Sequence, residues 1–543
     1  MGRDLLKLCA LLTVVFGFML GERSLSTPDE GRYAEIPREM VTTGDYITPR
    51  LNGIKYFEKP PLMYWAEAFV IKNLGLTEFS LRLLPAFLGI IGCLWIFGIV
   101  YSLFGRTEAW ASSLILASSL LYYVHTRLLI LDLGVTVFLS IALFSFLKAS
   151  LSFEFPKQQN KWLIGFYVGS ALAMMTKGMI GAVIPGAIIL LWTILGRRWD
   201  ILKLAFKPWG ILLFLALTAP WHILVSIENP EFPYFYFIHE HFVRFASRGH
   251  GRRQAWWFFL AVLSIGFFPW TAFLVQATRD VSKKISKDIF QFLIIWIGFV
   301  FIFFSLSNSK LIPYILTLFP PLAVLMGIYI GSIWRDNRNT FGFVMGVQIY
   351  RLCCALMIVI LPIVVFTQDL LPVFTQHWIT GEIMVLCLVI GCLTPGYFIS
   401  KGRPRFALTS LVAGSMTVFI CLNTLWPGIE NRSIKSLALK ILETKKPADK
   451  VIGYERYYQD LPVYLNQIIL IHGWVGELGF GIDQEDMSAI VLSQEQFKNL
   501  WQGPEKVYAV MRRDSFARLQ TLYPNQIILC DSTEKDVLVI NHQ

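Results

Sequence analysis

The sequence predicts a polytopic all-α membrane protein that ends in a soluble α/β domain, and three observations predict it. Of the 543 residues, 55% are hydrophobic and only 16% are charged, whereas soluble domains have roughly 25% charged residues. About thirteen apolar windows are long enough, at roughly 17–25 residues, to cross a bilayer as helices. From about residue 427 onwards, short apolar segments separated by polar turns replace the long windows.

The apolar windows give the positions of the predicted spans. They fall near residues 4–21, 80–104, 109–125, 132–151, 161–177, 179–195, 208–227, 256–277, 289–306, 311–333, 341–367, 381–400 and 405–425. The first follows Arg3 and Lys7 and lacks a small-residue cleavage site before Glu22. We therefore expect a retained anchor helix rather than a cleaved signal peptide.

The formal net charge of +11 is distributed unevenly among the loops. Basic residues concentrate in alternate loops, namely Arg106, Lys157, Lys161, Arg197, Arg198, Lys203, Lys207, Arg279, Lys283, Lys284, Lys287, Arg335, Arg338, Lys401, Arg403 and Arg405. Cytoplasmic loops carry such an excess of Lys and Arg. We therefore predict a cytoplasmic N-terminus and, after an odd number of spans, a C-terminal tail on the outer side.

Two of the outer loops are long and contain many charged residues, although outer loops normally have few Lys and Arg. We predict a membrane domain at 1–426 whose outer loops at 22–79 and 228–255 serve binding, followed by an outer α/β domain at 427–543. In that tail, DKVIGYE, QIILIHG, SAIVLS, KVYAVM, NQIILCDS and DVLVINH have the composition of short strands, and EQFKNLW and DSFARLQTLY that of helices. No nucleic-acid motif occurs.

The first outer loop opens with Thr27-Pro28-Asp29-Glu30. A capping box, with Thr27 as N-cap and Glu30 three residues later, is one interpretation. In the resulting helix Asp29, Arg32 and Tyr33 share a face, and an acid, a cation and a phenol there suit a phosphorylated ligand. We expect Pro37 to end or kink this helix.

Further along the loop, YFEKPP is predicted to be extended, because proline disfavours helix in the residue before it. This places Glu58 and Lys59 in a stiff segment. Snorkelling of Lys59 beside the membrane explains that lysine equally well.

Charged residues at the ends of later spans are further candidates. Asp132 begins the fourth span, where it is either a helix cap or a functional acid. Lys310 and Tyr314 form an outer pair four residues apart, and Lys177 is a lone outer lysine. The second loop contributes basic residues that suit phosphate or anionic lipid headgroups, namely Arg244, Arg248, Arg252 and Arg253. Its His239-Glu240-His241 lacks the spacing of a zinc-protease motif.

The motifs DEGRYAEIPREM and YFEKPPLMYW resemble those of lipid-carrier-dependent glycosyltransferases of the GT-C fold. TRLLILDLG, MTKGMIG, HEHFVRFASRGHGRRQ, SKLIPYIL, YYQDLPVYL and GWVGELGFG extend the resemblance over nearly the whole chain. It is most similar to the family that transfers 4-amino-4-deoxy-L-arabinose to lipid A. The acidic motif is also shared with protein O-mannosyltransferases.

The resemblance implies a monomeric bacterial inner-membrane enzyme with a periplasmic C-terminal domain. Its donor would be the sugar on undecaprenyl phosphate and its acceptor a lipid A phosphate, giving resistance to polymyxin and cationic antimicrobial peptides. It implies three catalytic residues, Asp29, Lys59 and Asp132. It also implies a cavity for the carrier phosphate lined by Tyr56, Arg244 and Tyr314, with Arg32, Tyr33 and Glu58 beside them.

The resemblance also concerns metal. In some relatives Glu58 and a histidine near the end of the last span bind zinc, but this sequence has no histidine between His377 and His472. We therefore predict no metal ligand. Two alternatives to the main prediction remain: a GT-C enzyme with another sugar or acceptor, such as protein O-mannosylation or lipopolysaccharide core glycosylation, and a lipid flippase. Transporters place polar residues at mid-bilayer, whereas these candidates lie in loops and at span ends.

Overall fold

The structure is a computed structural model that describes residues 1–243, 254–430, 432–524 and 526–542, with the backbone alone described for 240–243. The chain folds into two compact units. We call residues 1–20, 85–222 and 237–429 the helical unit, and residues 21–84, 223–236 and 430–543 the sheet unit.

Among the described residues, eight helical segments are long and apolar enough to cross a membrane. They are Glu78–Phe104, Asp132–Ser150, Pro208–Glu228, Lys287–Leu306, Ile312–Asp336, Phe341–Thr367, Trp378–Ser400 and Pro404–Ile429. A ninth is obtained if Phe258–Gly266 and Trp270–Val281, bent by 102°, form one span. The chain is therefore an integral membrane protein, as its composition predicts.

The other four predicted spans also coincide with helices, but these are too short, broken or not apolar enough to meet the same criteria. They are Gly2–Gly17, Arg106–Ala117 with Leu120–His125, Pro156–Lys177 and Ile180–Gly196. Shorter helical segments complete this part of the chain: Trp199–Ala205, the π-helical Tyr234–Val243 and Leu371–Gln376.

Packing distinguishes the inner helices of the helical unit from the outer ones. Asp132–Ser150 and Ile312–Asp336 are buried over 83% and 100% of their apolar windows, whereas Phe341–Thr367 is buried over only 11%. Gly327 and Gly331 lie one helical turn apart against Ser112 and Glu108, and a Cβ on Gly327 would lie 1.9 Å from the Ser112 hydroxyl. Small residues at this spacing let two membrane helices approach closely.

The sheet unit is built around a six-stranded sheet with the order β5-β4-β3-β6-β8-β7. Its strands are β3 (Lys450–Tyr454), β4 (Leu470–His472), β5 (Val491–Leu492), β6 (Val507–Arg512), β7 (Ile528–Ser532) and β8 (Asp536–Ile540), after a small hairpin of β1 (Arg50–Leu51) and β2 (Ile54–Lys55). The first four strands in this order are parallel, and β8 is antiparallel to both neighbours. All six strands predicted in the tail are thus confirmed.

Helices cover the sheet and fill the opening loop. In chain order they are Asp29–Thr43, Leu62–Leu74, Lys435–Thr444, Leu461–Leu465, Gly479–Ile482, Gln494–Gln502 and Arg513–Leu522. The two predicted tail helices coincide with the last two of these. Ile36, Met40 and Ile54 share one hydrophobic core with Ile471 and Tyr508 of the sheet. The charged opening segment is therefore packed against the tail domain.

Candidate active site

The helix that contains Asp29 begins differently from the predicted capping box. It runs Asp29–Thr43 after Pro28, and the Thr27 hydroxyl donates to Asp460 Oδ1 at 2.6 Å instead of capping the helix. Glu30 Oε2 accepts from the Ser26 N–H at 3.0 Å. The helix also continues past Pro37 to Thr43, so of the two expected effects, an end or a kink, the proline does not cause the first.

Glu30 is fixed by two guanidinium groups. Arg82 Nε lies 3.0 Å from Glu30 Oε1 and Arg23 Nη2 lies 2.6 Å from Oε2. Burial alone would raise the pKa of Glu30, but the charges of Arg82 and Arg23 lower it to about 2. A permanently ionised acid therefore anchors the helix one residue after Asp29.

Asp29, Arg32 and Tyr33 share one face, as their spacing predicts. Arg32 Nη1 lies 3.5 Å from Asp29 Oδ1, and its Nη2 lies 2.5 Å from Glu477 Oε2. Its guanidinium also lies 5.8 Å from the Tyr33 ring and 5.9 Å from the Tyr56 ring. Burial would lower the pKa of Arg32, but Tyr56, Glu477, Tyr33 and Glu58 together raise it well above its ordinary value. Arg32 is therefore a fixed cation beside an exposed carboxylate.

The segment with Tyr56, Glu58 and Lys59 contains neither helix nor strand after Lys55, and the next helix begins at Leu62. Tyr56 is buried, and burial raises the pKa of its hydroxyl well above the ordinary value, so it stays a neutral hydrogen-bond donor. Lys59 Nζ donates to the Glu58 carbonyl at 2.7 Å. The Glu58 and Lys59 side chains are both half-buried.

In the helical unit, Asp132 is the first residue of its helix. It forms an ion pair with Lys177, and Lys177 Nζ also lies 5.0 Å from the centroid of the Tyr314 ring. The expectation that Lys177 is a lone lysine was therefore wrong.

The remaining predictions concern a basic loop and metal. Arg244, together with Arg248, Arg252 and Arg253, lies outside the described residues. Within the described ranges, no group of three or more His, Cys, Asp or Glu side chains is placed to hold a metal ion.

Two family profiles match separate parts of the chain. The profile of dolichyl-phosphate-mannose-protein mannosyltransferase matches residues 23–236, and the aminoarabinose transferase C-terminal domain matches residues 437–541. The chain is 32% identical over 367 residues to the undecaprenyl phosphate-alpha-4-amino-4-deoxy-L-arabinose arabinosyl transferase of Aeromonas hydrophila subsp. hydrophila, covering 67% of this chain and 65% of that protein. It is 35% identical over 346 residues to the protein of the same name from Pectobacterium atrosepticum, covering 61% of each. The chain thus spans less than two thirds of the length of these curated relatives.

The similarity of the folds extends further than these sequence matches. ArnT from Cupriavidus metallidurans, in a crystal structure bound to undecaprenyl phosphate, has a TM-score of 0.86 and 26% identity, covering 99% of this chain and 97% of that chain. This chain is thus ArnT-like in sequence and fold.

In this ArnT-like chain, reasoning from sequence missed the residues that hold Arg32 and the start of its helix. Glu477 accepts from Arg32 and from Gln459 Nε2, the latter at 2.7 Å, while Asp460 accepts from Thr27. They lie in GWVGELGFG and YYQDLPVYL, two motifs of the family resemblance that by themselves predict no contact with the Asp29 helix. Their signal was thus present as motif similarity, but spacing along the chain does not relate them to Asp29.

Proposed function

We propose that this protein is a glycosyltransferase of the bacterial inner membrane that moves 4-amino-4-deoxy-L-arabinose from undecaprenyl phosphate to a phosphate of lipid A. The observation that carries the proposal is the structural similarity to ArnT over 99% of the chain. The names of the relatives and the match to the aminoarabinose transferase C-terminal domain support the sugar. An added amine makes lipid A less anionic, which weakens its attraction for polymyxin and other cationic peptides.

The orientation is part of the proposal. The N-terminus is cytoplasmic, while residues 22–79, 228–255 and 427–543 are periplasmic, and the protein acts as a monomer. The basic residues in alternate loops support this assignment.

The chemistry of transfer requires little base catalysis. A phosphate monoester has a second pKa of about 6 and attacks as an anion, so Asp29 need only orient the acceptor or the sugar amine. The departing carrier phosphate develops negative charge, which Lys59 and Arg244 stabilise. The neutral Tyr56 hydroxyl donates a hydrogen bond to that phosphate. Arg32, Tyr33 and Glu58 line the same phosphate site.

In the helical unit, Asp132 has a positioning role through its ion pair with Lys177. The pair fixes the ammonium group against the Tyr314 ring.

A second candidate is a GT-C transferase with a different acceptor. The match of residues 23–236 to the protein mannosyltransferase profile favours it. A protein hydroxyl, unlike a phosphate, has to lose a proton on attack, so Asp29 would then act as a general base.

The test is transfer by the purified protein in nanodiscs, with undecaprenyl phosphate aminoarabinose as donor and lipid A or a serine peptide as acceptor. Mass spectrometry should show aminoarabinose added to lipid A and none added to peptide. Asp29→Asn should lower kcat by about 100-fold or more, the scale of a misplaced reactant. Asp45→Asn is the matched control, since Asp45 Oδ1 accepts from the Ile47 N–H and an amide oxygen does the same. Transfer to peptide alone rejects the proposal, and an active Asp29→Asn rejects an essential charge there.

A further inference from the structure

A pocket of about 500 Å³ lies in the sheet unit. It opens at the carboxyl ends of two neighbouring parallel strands. Glu455, Arg456 and Tyr457 follow β3, and Arg512 ends β6. The other lining residues are Pro28, Gln459, Trp474, Asp514, Ser515 and Arg518. Ligand pockets in proteins have volumes of roughly 300–1,000 Å³, so this one has the size of a small-ligand site.

The topology of the sheet explains why a pocket forms here. From β3 the chain proceeds to β4 and then β5 on one side, and it returns to pair β6 with the other side of β3. The connections that follow β3 and β6 therefore leave in opposite directions. In open α/β sheets, ligands bind in the crevice that such a reversal creates at the carboxyl ends of the strands.

The lining is rich in arginine. Arg518 is paired with Glu455, while the Arg512 Nε lies 3.9 Å from Asp536, beyond hydrogen-bonding distance. The Nε atoms of Arg456 and Arg512 are buried and have no hydrogen-bond partner among the described residues. Buried donors left unpaired are costly, and guanidinium groups bind phosphate through two parallel hydrogen bonds. The guanidinium groups of Arg456 and Arg512, which line the pocket, therefore suit a phosphate group.

Aromatic rings form another wall. The Trp474 side chain lines the pocket and packs on the buried Tyr457 ring, with centroids 5.7 Å apart and planes inclined by 40°. Such rings present a broad apolar surface with a polar edge, which suits the apolar face of a sugar. The chemistry of the pocket is thus that of a phosphorylated saccharide rather than of a phosphate ion alone.

The remaining wall of the pocket adjoins the start of the Asp29 helix. Pro28 lines it and directly precedes Asp29. The helix that begins there is pressed against the segment after β3, because a Cβ on Gly31 would lie 2.5 Å from the Asp460 nitrogen. A saccharide in the pocket therefore lies beside the start of the Asp29 helix.

We propose that this pocket binds the phosphorylated sugar headgroup of the glycolipid acceptor and holds it beside Asp29. The identity of the ligand rests on the proposed function, but binding itself does not. Arg456 and Arg512 are binding residues and take no part in the transfer step.

The experiment measures binding to nanodisc-embedded protein without donor. The three probes are lipid A, lipid A stripped of its phosphates, and soluble glucosamine 1-phosphate. In the double variant Arg456→Ala/Arg512→Ala, the Kd for lipid A should rise about 10-fold to 100-fold, the effect of losing charge-assisted hydrogen bonds. Arg512→Lys should give an intermediate Kd, because lysine keeps the positive charge but lacks the paired N–H donors of a guanidinium group. Lys498→Ala, which removes an exposed charge from the same domain, should leave the Kd unchanged.

The kinetic readout separates binding from folding and from catalysis. In the double variant the KM for lipid A should rise by the same factor as the Kd, while kcat and the KM for donor stay at wild-type values and the thermal midpoint is unchanged. An unchanged Kd, or equally tight binding of dephosphorylated lipid A, overturns the proposal. Glucosamine 1-phosphate binding as tightly as lipid A overturns the glycolipid assignment.

The outcome also distinguishes this proposal from the proposed function. If wild-type protein transfers no aminoarabinose but loses lipid A binding in the double variant, the proposed function fails and the pocket stands. If transfer occurs and the double variant has the wild-type Kd and KM, the pocket fails and the function stands.

Discussion

The buried acid that anchors the Asp29 helix allows a quantitative test. Glu30 is 1% exposed and is bound by Arg23, by Arg82 and by the Ser26 N–H. Glu30→Gln keeps the volume of the side chain and removes its charge. Two guanidinium groups then remain buried beside a neutral amide.

The size of the effect follows from the pKa. Its decrease from 4.5 to about 2 corresponds to about 3 kcal/mol at neutral pH, and breaking a buried ion pair costs about 3–5 kcal/mol. Because the folded-state pKa lies below the unfolded one, this stability is complete above about pH 4.5 and is lost as the pH falls towards 2. At pH 3.5 about 2 kcal/mol remain.

The assay is thermal unfolding of wild-type and Glu30→Gln protein in nanodiscs at pH 7 and pH 3.5. At pH 7 the variant should unfold roughly 6–12 °C lower, at about 2–4 °C per kcal/mol for a unit of this size. At pH 3.5 the difference should shrink by about a third. The exposed Glu22 provides the control, Glu22→Gln. Equal midpoints at pH 7, or a difference that does not shrink in acid, would refute the role of Glu30.

Ion pairs and close packing elsewhere give further expectations. Glu477→Gln should lower kcat about 10-fold to 100-fold in the transfer assay, because Arg32 loses the partner that fixes it at 2.5 Å. Lys177→Met should destabilise the protein by about 3 kcal/mol in denaturant unfolding, since the largely buried Asp132 loses its ion-pair partner. Gly31→Ala should lower the thermal midpoint by the equivalent of about 1–3 kcal/mol, because its Cβ meets backbone at 2.5 Å.

Matched variants control each of these expectations. Glu495→Gln and Lys161→Met change exposed residues, and Gly98→Ala adds a Cβ that has no atom within 4 Å. Wild-type kcat in Glu477→Gln would show that Arg32 needs no fixed position. A Lys177→Met protein as stable as Lys161→Met, or a Gly31→Ala protein as stable as Gly98→Ala, would contradict the packing described.

Much of the fold was predictable because it depends on local pattern. Membrane helices need long apolar windows, and every predicted span coincides with a helical segment. Strands need short apolar segments, and all six in the tail were found from composition alone. The shared face of Asp29, Arg32 and Tyr33 likewise follows from helical periodicity.

Partners distant in the chain were not predictable in this way. The capping box at Thr27 was a sound local prediction, yet the structure offers Thr27 a stronger acceptor in Asp460, 433 residues later. Lys177 was interpreted as a lone lysine because its acid, Asp132, lies 45 residues earlier. The spacing of neighbouring residues does not reveal partners that are distant in the chain and compete with the local ones.

By itself, the sequence determined a membrane protein with an α/β tail, and it placed Asp29, Lys59 and Asp132 among the candidate catalytic residues, because hydropathy and motif are properties of short segments. Only the tertiary structure decided which charges neutralise one another and where a pocket opens. The strand order places the residues after β3 beside those after β6, some 55 positions further along. Arg456 and Arg512 therefore line one pocket, a relation that exists only once the sheet has formed.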